Sequence, residues 1–328
     1  MPLLYLLERL RQACPALAAV FGVITYLGDE IAFLALALLT LWCISKRGGY
    51  FLLAVGFTGT VLNQFLKITC RIPRPWVLDP DFSIWEGARE AASGYSFPSG
   101  HTQNAVGTFG VLALLSGRRL SGKRRGFFVA GCIATAALVA FSRLLLGVHT
   151  PLDVGVSVGI ALLLLLLGHL FFRVERPTRY LLFAIGAMTA VALAFALYAE
   201  LFPFPSNVDP QNLLSARENA WTLLGAAAGV LVMTPIERKY VRFETKAPPL
   251  GQILKFTLGA ALAIAIKELL KLPLGAIFGD AAFPDAIRYF ILVLFCGSVW
   301  PLTFPFFAGL GESRKPIRNA SEPSQENS

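Results

Sequence analysis

The sequence predicts an all-α fold, a polytopic integral membrane helical bundle of about nine transmembrane helices. Three observations predict it. The chain of 328 residues is 55% hydrophobic and 15% charged, whereas soluble domains are about a quarter charged. Its mean hydropathy is +0.63. The apolar residues fall in blocks of about 18 to 22, separated by short charged loops, and that length crosses roughly 30 Å of hydrocarbon at 1.5 Å per residue.

Residues 1–29 hold two short apolar runs, broken by Glu8-Arg9-Leu10-Arg11 and by Pro15. Neither run spans comfortably, so the expectation is an interfacial amphipathic helix, with a tilted span as the lesser alternative. The same charges interrupt the apolar core that a cleavable signal peptide needs, and the first span is expected to act as the targeting signal. Spans are then expected at about 30–45, 50–70, 98–116, 126–146, 151–172, 179–202, 217–236, 251–272 and 288–311. The tail over 312–328 is polar and expected to be disordered.

The net charge of +9 does not point to nucleic acid, because the basic residues sit at helix ends rather than on one soluble face. It fits membrane orientation and contact with anionic lipid. Alternate loops carry Lys46 and Arg47; then Arg118, Arg119, Lys123, Arg124 and Arg125; then Arg173, Arg176 and Arg179. The series continues with Arg238, Lys239, Arg242 and Lys246, and with Arg314, Lys315 and Arg318. That side is expected to be cytoplasmic. The five cysteines are scattered and odd in number, which argues against a disulfide framework and against a zinc site.

Three polar clusters fall on the opposite side. Charged groups at membrane depth are costly, so each is a functional hypothesis. In Ser142-Arg143-Leu144-Leu145-Leu146-Gly147-Val148-His149-Thr150-Pro151-Leu152-Asp153, Thr150 and Pro151 read as a helix start. Asp153, one turn in, can take the imidazole Nδ1–H of His149 and leave Nε2 free as a nucleophile or base. It can equally close a capping box with Thr150, and the two roles are compatible. Arg143 offers a planar fork for two oxyanion oxygens, or it snorkels to the interface.

Pro98-Ser99-Gly100-His101 opens the third span, and the first amides of such a helix form an anion site. Ser99 is the expected N-cap, Gly100 allows close backbone approach, and His101 is placed to donate a proton to a leaving oxygen; a core or interfacial histidine is the plainer alternative. Lys67 and Arg71, one turn apart, and Arg74 end the second span without nearby carboxylates. Three such cations need an anionic ligand. Loop 76–97 separates two of the clusters, and its Trp76, Trp85, Glu86, Arg89, Glu90 and Tyr95 are expected near the site.

Taken together, Lys67-x6-Arg74-Pro75, Pro98-Ser99-Gly100-His101 and Ser142-Arg143-x5-His149-x3-Asp153 resemble the three-part signature of the type-2 phosphatidic acid phosphatase superfamily, over roughly residues 30–172. The resemblance implies a six-helix catalytic membrane domain over 30–202, with about three additional helices over 203–311. It implies metal-independent phosphoester hydrolysis without a cofactor, through a phosphohistidine. His149 would be the nucleophile, Asp153 its orienting partner, and His101 the acid and then the base. Lys67, Arg74, Arg143, Ser99 and Gly100 would hold the phosphate. No carboxylate cluster suits magnesium, and a clamp of cations can carry the transition-state charge instead.

The partner so implied is a phosphorylated lipid, met at the extracytoplasmic face of the cell membrane. Undecaprenyl diphosphate is the leading candidate, and phosphatidate, phosphatidylglycerophosphate and sphingoid phosphates stay open. Two alternatives remain, a lipid phosphotransferase using the same site and a transporter or flippase of an anionic lipid. The latter would explain the extra helices but not the spacing of both histidines and Asp153. The sequence leaves oligomeric state open.

Overall fold

The computed structural model describes residues 1–89, 92–117, 119–279 and 281–310. The expected tail, Glu90, Arg118 and the basic residues 314, 315 and 318 lie outside that set. The described residues form helices and no strand.

Residues 1–28 form two helices, α1 (Pro2–Ala13) and α2 (Pro15–Ile24), bent by 110° across Cys14. Pro15 can open a helix but cannot continue one, which sets the break. The charges that interrupt the first apolar run have partners inside the protein. Glu8 accepts from the backbone N–H of Ser83 at 2.8 Å, and Arg11 donates to the carbonyl oxygens of Leu145, at 2.5 Å, and Ser83. Asp29 caps α3 (Glu30–Leu39) by accepting from the N–H of Ile31, and Ser45 caps α4 (Lys46–Cys70) by accepting from Gly48. Arg71 ends α4 in the left-handed conformation, at φ 52°. A single turn, α5 (Pro75–Leu78), leads into the loop that returns to the site.

Two of the three polar clusters lie at the ends of α6 (Gly100–Ser116), α7 (Gly122–Leu145) and α8 (Pro151–Phe172). Helix α6 packs against α4, α7 and α8, so its buried Thr102, Gln103, Asn104 and Thr108 face protein rather than lipid. Leu162, Leu163, Leu166, Leu167 and Leu170 of α8 are exposed, as a lipid-facing surface requires.

Beyond these lie α9 (Thr178–Leu201), α10 (Pro210–Ile236), α11 (Pro249–Phe278), α12 (Pro284–Leu294) and the short α13 (Phe304–Ala308). Helix α10 is the hinge between the two halves, packing against α4, α9 and α12. Val61, Ile68, Phe195, Ala216 and Ala220 share one core there. Gly225 permits the α10–α12 approach, because a Cβ would sit 2.1 Å from the Ala286 carbonyl oxygen.

Six described helices are long and apolar enough to cross a membrane, or seven units if the bent N-terminal pair counts as one. The polytopic helical bundle is borne out but the count of about nine is not confirmed: Glu30–Ile44 is apolar but short, α6 has 17 residues, and α11 is not among the six. Loops expected on the basic side do meet at one end of the bundle. Lys46 pairs with Glu237, Arg47 with Glu175 at 3.5 Å, and Arg238 donates to Thr178. The three signature clusters gather at the other end. All five cysteines are unpaired.

Candidate active site

The site is built on two loops and three helix ends. Pro151 opens α8 with its φ preset, Thr150 caps it, and Asp153 closes a reciprocal capping box: the Asp153 carboxylate accepts from the Thr150 N–H at 2.7 Å. The oxygen that does so, Oδ2, also lies 3.5 Å from His149 Nδ1. The two alternatives left open for Asp153 therefore coexist on a single atom. Upstream, Gly147 at φ 80° turns the chain sharply, and the N–H groups of Val148 and His149 both reach the Arg143 carbonyl. This places His149, buried, one turn below the guanidinium-bearing end of α7.

On the other side of the imidazole, Nε2 lies 3.4 Å from Arg74 Nη1. Arg74 is held rigidly, donating to the carbonyls of Ser93 (2.6 Å), Gly94 (2.9 Å) and Val148 (3.0 Å). Burial, and then the charges of Arg74 and Arg143, push His149 below the ordinary imidazole range against the pull of Asp153. The ring is neutral at neutral pH, with Nδ1 facing a carboxylate and Nε2 facing a cation.

Ser99 stands at the N-cap of α6, but its hydroxyl caps no amide. It accepts from Thr102 Oγ1 at 3.0 Å instead, which leaves the first amides of α6 without intrahelical partners. Its own N–H donates to the Asp153 carbonyl at 3.3 Å, tying the two clusters together. Gly100 lies beside Asn63, whose Oδ1 a Cβ would meet at 3.7 Å, so no protein contact demands glycine there. Asn63 in turn donates to the Pro98 carbonyl and to Gln103.

Arg143 is fully buried and donates to Thr25 Oγ1 at 2.7 Å, with Nε and Nη2 unpartnered among the described residues. His101 Nε2 is also buried without a hydrogen bond and lies 3.8 Å from Asp29. Lys67 reaches the Ser93 carbonyl at 3.5 Å. Arg71, by contrast, ends α4 and makes no side-chain hydrogen bond or ion pair among the described residues. Of loop 76–97, Trp76 packs under Arg74 and Arg89, and Glu86 pairs with Arg89 away from the histidines.

Comparison with known proteins gives two family matches. The sequence pattern of the PAP2 superfamily matches residues 47–177, and that of the PAP2 superfamily phosphatase transmembrane extension matches residues 221–313. The chain belongs to the PAP2 superfamily. Phosphatidylglycerophosphatase B of Bacillus subtilis (strain 168) is 35% identical over 130 residues, 37% of this chain and 57% of that protein. Undecaprenyl-diphosphatase BcrC of the same organism is 29% identical over 143 residues, 42% of this chain and 66% of that one. A probable sphingosine-1-phosphate phosphatase of Dictyostelium discoideum is 27% identical over 223 residues, 65% of this chain and 52% of its own length. The chain thus spans between about half and two thirds of these relatives. No solved structure matches it.

Three residues join the PAP2 core that sequence reasoning passed over. Ser96 donates to Asp153 Oδ2 at 2.6 Å and lies 3.4 Å from His149 Nδ1. It is a serine in a loop, and its only signal is proximity to Pro98-Ser99-Gly100-His101. Thr25 and Asp29 precede the PAP2 match altogether and have no pattern that marks them. Gly28 lets their turn press on α6, since a Cβ would lie 2.6 Å from the His101 carbonyl oxygen.

Proposed function

We propose that this protein is an integral membrane lipid phosphatase that works through a phosphohistidine on His149. The observation that carries the reading is the two-sided environment of His149. A carboxylate lies at Nδ1 and a guanidinium at Nε2. The first fixes the tautomer with Nε2 unprotonated; the second marks where an anionic phosphate would lie.

In the first step the Nε2 lone pair forms the N–P bond while the P–O bond to the lipid breaks, and His101 gives its proton to the departing oxygen. Asp153 stabilises the positive charge that the ring then carries. In the second step water attacks phosphorus, His101 takes its proton, and the N–P bond breaks to release inorganic phosphate. Arg74, Lys67 and Arg143, with the hydroxyl of Ser99 and the amide of Gly100, hold the equatorial oxygens. Preorganised donors in a buried site are worth far more than in water. No metal or cofactor takes part in this scheme.

The named activities of the relatives support a phosphorylated lipid as substrate. Undecaprenyl diphosphate is the leading candidate, hydrolysed at the extracytoplasmic face of the cell membrane. The separation of the basic loops from the signature clusters, at opposite ends of the bundle, supports that orientation.

The test is phosphate release by the detergent-purified protein in excess chelator, from undecaprenyl diphosphate, phosphatidylglycerophosphate, phosphatidate and sphingosine phosphate. Turnover that survives chelation and is lost in His149→Ala is the expected result. Turnover that requires magnesium, or that His149→Ala retains, would overturn the mechanism.

A further inference from the structure

Next to His149 lies a polar recess that shares Lys67 with the phosphohistidine scheme and whose other polar side chains that scheme does not use. It is a narrow cleft, open to solvent, between α4 and α10. One wall is Gln64 and Lys67, three residues apart on α4. The other is Asn212, Ser215 and Asn219 on α10, whose spacing of three and four places them on one helical face. Ala216 and Ala220, interleaved with them, are buried against α4 and bring the two walls together. The position is not an accident of a surface loop: Asp209 caps α10 immediately before the stripe, accepting from the Asn212 N–H at 2.9 Å.

The chemistry of the recess is one-sided. It contains one lysine and six amide or hydroxyl side chains, Ser93 and Tyr95 of the returning loop among them, and none of the six makes a side-chain hydrogen bond with another described residue. No carboxylate lines it among the described residues. Unused amide and hydroxyl donors around an ammonium suit a group with several acceptor oxygens and a negative charge. The recess also adjoins the reacting centre. The Ser93 carbonyl accepts from both Lys67 and Arg74, and the same guanidinium lies 3.4 Å from His149 Nε2.

We propose that this recess binds a second phosphoryl group of the substrate, the one on the leaving-group side of the phosphate transferred to His149. The proposal rests on the phosphatase reading above and adds to it a class of substrate, lipids that carry two phosphates. Two sources share that chemistry: a diphosphate, and a phosphomonoester joined through a short linker to a phosphodiester. The selective residues come from α10, so the helices after the signature take part in recognition as well as anchoring.

The test uses the full chain with the double variant Asn212→Leu/Asn219→Leu, and with Ser215→Asp, which brings a negative charge into the recess. Michaelis constants are measured for undecaprenyl diphosphate, phosphatidylglycerophosphate and phosphatidate. Both variants are expected to raise KM for at least one two-phosphate lipid about tenfold, with kcat within about twofold and phosphatidate little changed. A tenfold change corresponds to about 1.4 kcal/mol. A rise confined to undecaprenyl diphosphate assigns the recess to a diphosphate, and one confined to phosphatidylglycerophosphate assigns it to a phosphodiester. Equal rises for all three lipids, or none, would overturn the proposal.

A binding measurement keeps the subsite separable from turnover. Methylene diphosphonate should raise the Tm of the wild-type protein more than inorganic phosphate does at equal concentration, and the double variant should lose that excess alone. Equal stabilisation by both anions sinks the subsite even if lipids are hydrolysed. Loss of turnover in every lipid, with the excess stabilisation intact, would instead remove the phosphatase reading.

Discussion

Replacing Asp153 by asparagine separates two tasks that one carboxylate oxygen performs. Asparagine keeps an acceptor for the Thr150 N–H, 2.7 Å away, and for the Ser96 hydroxyl, 2.6 Å away. What it loses is charge beside His149 Nδ1 at 3.5 Å. At an effective dielectric near 20, two unit charges at that distance attract by about 4.7 kcal/mol. In the proposed phosphohistidine scheme the imidazole would gain only part of a charge as the N–P bond forms, which puts about 2 to 4 kcal/mol of transition-state stabilisation at stake. At about 1.4 kcal/mol per decade, kcat should fall roughly 30- to 1,000-fold. The cap itself is worth about 1 kcal/mol and is largely kept, so Tm should fall by only a few degrees. The assay pairs phosphate release in chelator with thermal unfolding followed by tryptophan fluorescence. A loss of activity below about fivefold would refute the orienting role and leave Asp153 as a helix cap; a large fall in Tm would show that the rate was lost through unfolding.

Ser96→Ala removes one donor from the same oxygen, and hydrogen bonds to charged groups are worth about 1.5 to 3 kcal/mol. Phosphate release should therefore show kcat/KM lower by about 10- to 100-fold at unchanged Tm; parity with wild type would remove Ser96 from the site. Thr25→Val takes the only hydrogen-bonding partner of Arg143 among the described residues, so KM should rise about tenfold with kcat nearly constant, and a selective loss of kcat would contradict that role. Asp29→Asn removes the carboxylate 3.8 Å from His101 Nε2. A carboxylate there favours the protonated ring, so the limb of the pH–kcat profile set by His101 should move to lower pH, and an unmoved profile would exclude the coupling. Arg11→Met deletes the bonds to the Leu145 and Ser83 carbonyls and should lower Tm by roughly 5 °C, a fall that thermal unfolding reads directly.

The site was legible where chemistry contradicted its surroundings. Arg143, His149 and Asp153 stand out because charge in an apolar run is costly, and Thr150-Pro151 announces a helix start by its own local geometry. Ser96, Thr25 and Asp29 carry no such contrast. Their roles arise from closure between segments far apart in sequence, as in the Thr25–Arg143 bond across 118 positions. The bundle was legible from block lengths, but span counting blurred in two places. Helix α6 buries Thr102, Gln103, Asn104 and Thr108 against other helices, so its polarity reports protein neighbours rather than membrane depth. Over 1–28, Glu8 and Arg11 read as breaks in an apolar pattern, whereas they satisfy groups at Ser83 and Leu145.

That clamp also sets a schedule for biosynthesis. Arg11 is buried against a carbonyl 134 residues later in the chain. A ribosome adding about 5 to 20 residues per second reaches that partner roughly 7 to 27 s afterwards. Burying an unpaired guanidinium during the interval would cost several kcal/mol. The Ser83 carbonyl becomes available first, and the bond to Leu145 can form only after the end of α7 has been made. Thr25 and Asp29 travel with the N-terminal helices, so the pocket around Arg143 and His101 is completed only when this early segment docks. Arg11 leaves the ribosome before Leu145, yet it can reach its place only once Leu145 is in position.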